Sequence, residues 1–268
     1  MSRPGLDPDS IIAIQALDAL IKEMRENIEY PSAPVDEDSA VKLYLLYLSI
    51  LIDVVLADIV MSALAKNDLM VEIKQRILLE YSAKGIYLHE HPSYALYMLT
   101  VAEAWAIERK LEKAQASPQT IAQAKAHHAD MRSKFPPPAG MVEQSFENIF
   151  REYAGADDYV WLYGIQSAML HGDPEGMRAV IELQPGGSRV ARIENTLGLV
   201  NAMLVDTGRN ALVFADRFLD RFRPGEEPFI SRVRELQRTF LKLVIKHRDG
   251  RDDDDVEEAK ILLRDFDL

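Results

Sequence analysis

The stretch from Leu43 to Leu64, LYLLYLSILIDVVLADIVMSAL, carries apolar residues on every side of a helix. A helix of that kind must be covered by others, so the segment fixes the architecture more firmly than anything else in the chain. Asp53 interrupts it after ten uncharged residues, and Asp58 follows, which leaves too short an uninterrupted run to span a bilayer. The reading is a buried central helix from about Ser39 to Lys66. An aspartate facing the interior stays charged only beside a partner, and Arg76 is the candidate partner for Asp53.

Around this helix the 3.6-residue period is nearly continuous, and no segment shows the alternation or β-branched clustering of a sheet. The expected fold is all-α, a multi-helix bundle around the central apolar helix. A first helix starts near Asp9 or Ser10 and stops before Tyr30-Pro31. A third, capped by Asn67-Asp68, ends around His91-Pro92. A fourth begins at Ser93 apolar and finishes charged, so its last half projects into solvent, and Ser117-Pro118 opens a fifth. Pro136-Pro137-Pro138-Ala139-Gly140 forbids helix and is the clearest break. Beyond it, helices are expected in MVEQSFENIFREYA and around Tyr163, then near 189–206, 208–222, 227–248 and 256–266. The organisation is residues 1–38 as an N-terminal helix and loop, 39–206 as the core bundle, and 207–268 as a C-terminal helical portion packed on that core in one domain.

The most specific polar pattern is Tyr159, Tyr163, Ser167 and His171, at successive four-residue steps, so one helix face carries three hydroxyls and an imidazole. Arg76 and Glu80 have the same spacing on the third helix and are candidate partners. Two readings are open. The groups form a polar clasp between helices, or they line a pocket in which His171 acts as base, Glu80 orients it, Arg76 holds an anion and Ser167 is the candidate nucleophile. No G-x-S-x-G elbow surrounds Ser167. His171-Gly172-Asp173 ends a helix rather than forming a phosphotransferase loop, since no metal-binding asparagine or phosphate-cradling glycine loop accompanies it.

No metal or cofactor is expected. No glutamate stands three residues before a histidine, and His89-Glu90-His91 and His127-His128 lack zinc-protease spacing; both pairs read as exposed. Gln184-Pro185-Gly186-Gly187-Ser188-Arg189 has the composition of an anion-binding helix start, or of an ordinary loop and cap. With 31 basic against 43 acidic residues, the net charge of −12 disfavours nucleic acid and anionic membrane as partners. The absence of cysteine, and of an export signal at the start of the sequence given, leads to an expected cytoplasmic location.

A long apolar helix, Arg76 and Glu80 four apart, and Tyr163, Ser167 and His171 in four-residue steps together resemble an uncharacterised group of prokaryotic helical proteins that share a domain of unknown function. The resemblance covers roughly residues 40 to 205 and implies fold more than activity. Some neighbours of that group look like the helical nuclease-toxin superfamily. Its arginine-to-histidine motif is missing here, because no histidine stands five to seven positions after an arginine. The expectation is a non-enzymatic interaction or regulatory module, in a bacterial stress or defence setting, that oligomerises or binds a protein through helix faces. The alternative is a ligand-binding or hydrolytic site built from Arg76, Glu80, Tyr163, Ser167 and His171.

Overall fold

The computed structural model describes residues 6–137, 148–149, 151, 181–183, 189–191, 197–248 and 254–266. These form an all-α assembly: α1 (Pro8–Arg25), α2 (Glu37–Leu64), α3 (Asp68–Glu90), α4 (Pro92–Tyr97), α5 (Glu103–Lys113), α6 (Pro118–Lys134), α7 (Leu197–Phe222), α8 (Glu227–Arg248) and α9 (Asp254–Phe266). A π-helical segment, Met98–Ala102, joins α4 to α5 without a break. One short hairpin stands among the helices, β1 (Ile181–Leu183) pairing antiparallel with β2 (Arg189–Ala191), Ile181 opposite Ala191. β1 falls in the irregular stretch 174–189, where the sequence allows extended residues beside a short helix, and β2 displaces the helix start expected near 189. A three-residue ladder is too short to leave a period-2 signature in sequence.

Local chemistry sets the helix ends. Asp7 caps α1 ahead of Pro8, whose missing N–H costs nothing in the first turn. The helix therefore begins earlier than the Asp9–Ser10 start read from sequence. Asp36 and Ser39 form a reciprocal capping box at the start of α2. At the end of α2, Lys66 adopts the left-handed conformation (φ 56°), with the Lys66 N–H donating to Ala63 and the Asn67 N–H to Ser62. Asn67 then caps α3. The turn between α5 and α6 repeats the device: Gln115 is left-handed (φ 52°), Ala116 donates back to Leu111, and Ser117 caps α6.

The core is one apolar cluster reaching from Ile11 to Ala259. Ile14, Leu17, Leu20, Ile21 and Met24 of α1 are fully buried, each contributing about 1.5–3 kcal/mol relative to exposure. α2 packs against α1, α3, α4 and α7, and α7 against α1, α2, α3 and α8. Two helices were expected over 189–222, but α7 runs unbroken from Leu197. Gly208 sits inside it because the ring of Phe240 on α8 occupies the space a side chain would need. α5 and α6 project as a hairpin, and no residue of α6 is buried.

Among the described residues one helix, Glu37–Leu64, is long and apolar enough to cross a membrane by length and composition. It is not wrapped on all sides. One face lies on the core, with Leu45, Ile52, Leu56 and Ile59 inaccessible, and the opposite face is open to solvent.

Candidate functional site

Of the polar residues singled out in sequence, Arg76 and Glu80 lie on α3, whereas Tyr163, Ser167 and His171, with Tyr159, lie outside the described residues. Arg76 is buried and Glu80 half-buried. Arg76 does not hold Asp53. The aspartate is paired instead with Arg25 Nη2 at 2.5 Å and Lys22 Nζ at 3.0 Å, both from α1. The cation that α3 contributes to α2 is Lys74, 2.6 Å from Asp58. Both aspartates sit toward the flanks of α2, within reach of the adjoining helix, so each is neutralised by its nearest neighbour.

Lys22 also bonds Asp18 at 2.7 Å, giving two acids and two cations between α1 and α2. Burial, and then the nearby Asp53, pushes the Asp18 carboxyl up. Burial acts on Asp53 in the same direction, but hydrogen bonds from Arg25 and Lys22 outweigh it and hold Asp53 below the usual carboxylate value.

A second cluster ties the start of α1 to α7 and to the end of α8. The Asp7 carboxylate receives His247 Nε2 at 2.6 Å, Lys246 Nζ at 2.9 Å and Ser10 Oγ at 3.3 Å. The Asp7 N–H donates to Asn201 Oδ1 at 2.9 Å. Aspartate, histidine and serine here invite comparison with a hydrolytic triad, but the geometry fails. The same Nε2 faces both Asp7 and Ser10 (3.4 Å), and Ser10 has no solvent exposure. At the other end of α1, Arg223 donates to the carbonyls of Met24 and Glu26. The pattern Asp7-Pro8 was a readable N-cap signal; its partners, some 240 positions away, were not.

The metal motifs resolve into hydrogen bonds and packing. His128 Nδ1 lies 2.7 Å from Glu108, and His89 Nε2 lies 3.4 Å from Asp220. His89 and His128 are largely covered rather than exposed, because α7 and α5 respectively pack beside them. Burial first, and then the charge of Arg221, holds the His89 imidazole below its ordinary value. Among the described residues no three metal-ligating side chains converge. Arg189 lies in β2, not at a helix start, which removes the anion-binding reading of that arginine.

Two concavities stand out. A groove of about 700 Å³ between α1 and α8 has an alanine floor (Ala13, Ala16, Ala19) and a charged rim that includes Arg232, Glu235 and Lys242. A second, of about 490 Å³, lies at the π-helical segment, between Thr100, Glu103, His127 and Phe135. Neither contains Arg76 or Glu80.

Among the described residues, an extended row of exposed apolar side chains lies on the open face of α2, where Tyr47, Ile50, Val54, Met61 and Leu64 are 47–66% exposed. Exposed apolar rows of this extent mark contact surfaces more often than ordinary solvent faces. Sequence reading missed it because an all-round apolar helix gives no sign of which side is left open. No family model, no curated protein and no solved structure matches the chain.

Proposed function

We propose that this protein is a non-enzymatic helical interaction protein, acting in a prokaryotic cytoplasm and assembling through helix faces. The observation that supports this reading is the exposed apolar row on α2, Tyr47 to Leu64, carried by a helix whose other side is locked into the core. The rigid backing matters: a face held by four neighbouring helices loses little freedom when it is covered. The polar clusters among the described residues serve helix-to-helix attachment, with the nearest approach to a catalytic grouping, Asp7–His247–Ser10, in the wrong geometry and without solvent access at the serine.

Sedimentation equilibrium across the nanomolar to micromolar range tests the reading. An assembly that grows with concentration is expected, and a chain that stays monomeric throughout would remove its basis.

A further inference from the structure

Beyond the acidic first turn of α2, where Glu37 and Asp38 are exposed, its exposed positions are Tyr47, Ile50, Val54, Ala57, Met61 and Leu64, spaced by three, four, three, four and three residues. This is the spacing of a coiled-coil seam, averaging 3.5 residues, which keeps one stripe facing a partner helix. No charged residue falls among the six. Side chains of this size at 47–66% exposure leave on the order of 400–500 Å² of apolar surface open per protomer, the size of the largest patch on a typical protein, which is often a functional surface. Pairing that also covers the half-buried rim of Leu43, Leu46, Leu51 and Ser62 brings the contact toward the ~800 Å² per partner of a standard interface.

Resting on the reading that the chain assembles through helix faces, we propose that the α2 face is covered by α2 of a second copy, antiparallel, about a two-fold axis passing between Val54 and Ala57. Tyr47 then meets Leu64 of the second copy, Ile50 meets Met61, and Val54 meets Ala57. A small residue opposite a β-branched one lets the helices approach closely at the axis. The charges select the direction. Asp53 and Asp58 flank the seam on opposite sides, and in a parallel pair each Asp53 faces Asp58 of the other helix, twice per dimer. In the antiparallel pair each aspartate meets an apolar flank, Leu51 or Val60, and the helix dipoles oppose. The cations of the same chain, Arg25 and Lys22 beside Asp53 and Lys74 beside Asp58, reduce the repulsion of the parallel pair without removing it, since the Asp58 side chain stays about half exposed. A two-fold axis uses the same patch on both copies, as one self-complementary stripe requires.

The chain has no cysteine, so introduced thiols report without background. An equimolar mixture of Ile50→Cys and Met61→Cys chains is expected to give a mixed disulfide dimer on mild oxidation, while neither variant alone cross-links. Val54→Asp is expected to weaken self-association at least 100-fold with helix content by circular dichroism unchanged, because the side chain faces solvent in the protomer. Cross-linking of Ile50→Cys with itself overturns the antiparallel arrangement. A wild-type oligomer that persists in Val54→Asp, with no mixed disulfide, overturns the α2 pairing and leaves the interaction reading standing. A wild-type monomer sinks both, and a monomer that floats with phosphatidylcholine–phosphatidylglycerol vesicles assigns the face to lipid instead.

Discussion

Asp7 and His247, 240 positions apart in sequence, meet through a 2.6 Å hydrogen bond that joins the first turn of α1 to the last turn of α8. The contact, with Lys246 beside it, sets a negative charge at a helix N-terminus against a cation at a helix C-terminus, so the local fields of both helix ends favour it.

Acid should loosen the fold in two stages. Burial raises the Asp7 carboxyl, but hydrogen bonds from Lys246, His247 and the Asp9 N–H outweigh it and hold the carboxyl below its ordinary 3.8. The native state therefore binds this proton less readily than the unfolded chain, and the Asp7 contribution, complete above pH 3.8, disappears as pH falls through the lower native value. His89, held below its ordinary 6.5 by burial and then by Arg221, contributes in the same direction from higher pH: the unfolded chain takes the proton first as pH drops past 6.5. Urea midpoints measured against pH are expected to decline from about neutrality and again in the acid limb. Asp7→Asn should make the acid limb shallower, the remainder coming from Asp53 and other hydrogen-bonded carboxylates, leave the limb near neutrality unchanged, and cost about 2 kcal/mol at pH 7 through the weakened charged hydrogen bonds.

The partner of Asp53 can be identified by coupling energies. A double-mutant cycle on Asp53→Asn with Arg25→Met is expected to return about 1 kcal/mol, and the same cycle with Arg76→Met less than about 0.5 kcal/mol. The reverse ranking would restore the pairing of Asp53 with Arg76 that the sequence suggested.

Gly208→Ala opposes two effects whose magnitudes differ. Alanine gains about 1 kcal/mol over glycine inside a helix, yet its β-carbon would stand 2.0 Å from the Phe240 ring, which is almost fully buried and has little room to retreat. Overpacking of this kind costs about 1–3 kcal/mol, so net destabilisation is expected in chemical denaturation. Phe240→Leu in the same chain should recover part of it.

Arg223 closes the C-terminus of α1 by donating to two carbonyls, and its guanidinium lies 4.9 Å from the Phe229 ring centroid. Lysine cannot span both carbonyls as a planar fork does. Arg223→Lys is expected to cost about 1–2 kcal/mol, with faster amide exchange in the last turn of α1 relative to α3; equal exchange in the two places would exclude the capping role.

What could be read from the sequence was what depends on neighbours along the chain. Asn67 and Ser117 announced their helices because capping is a contact over three residues, and Pro118 pointed the same way. The unbroken course of α7 through Gly208 was not legible, because glycine usually weakens a helix and only the position of Phe240 shows that here it serves packing. Asp53 demanded a cation, but whether Arg25 or Arg76 supplied it depended on how α1 and α3 lie along α2. The open face of α2 was hidden because hydrophobicity records what a residue avoids, not which neighbour arrives. Of the candidate site only Arg76 and Glu80 fall among the described residues, and Arg76 belongs to the packed interior.

The attachment of α1 at both ends also has a consequence during synthesis. Asn201, Arg223, Lys246 and His247, which hold its two termini, follow it by nearly 200 residues or more. At 5–20 residues per second a ribosome takes roughly 10–40 s to deliver them. Throughout that interval the stripe of Ile14, Leu17, Leu20, Ile21 and Met24 has only α2 and its neighbours to shelter it, which makes the nascent chain a natural client for holding chaperones.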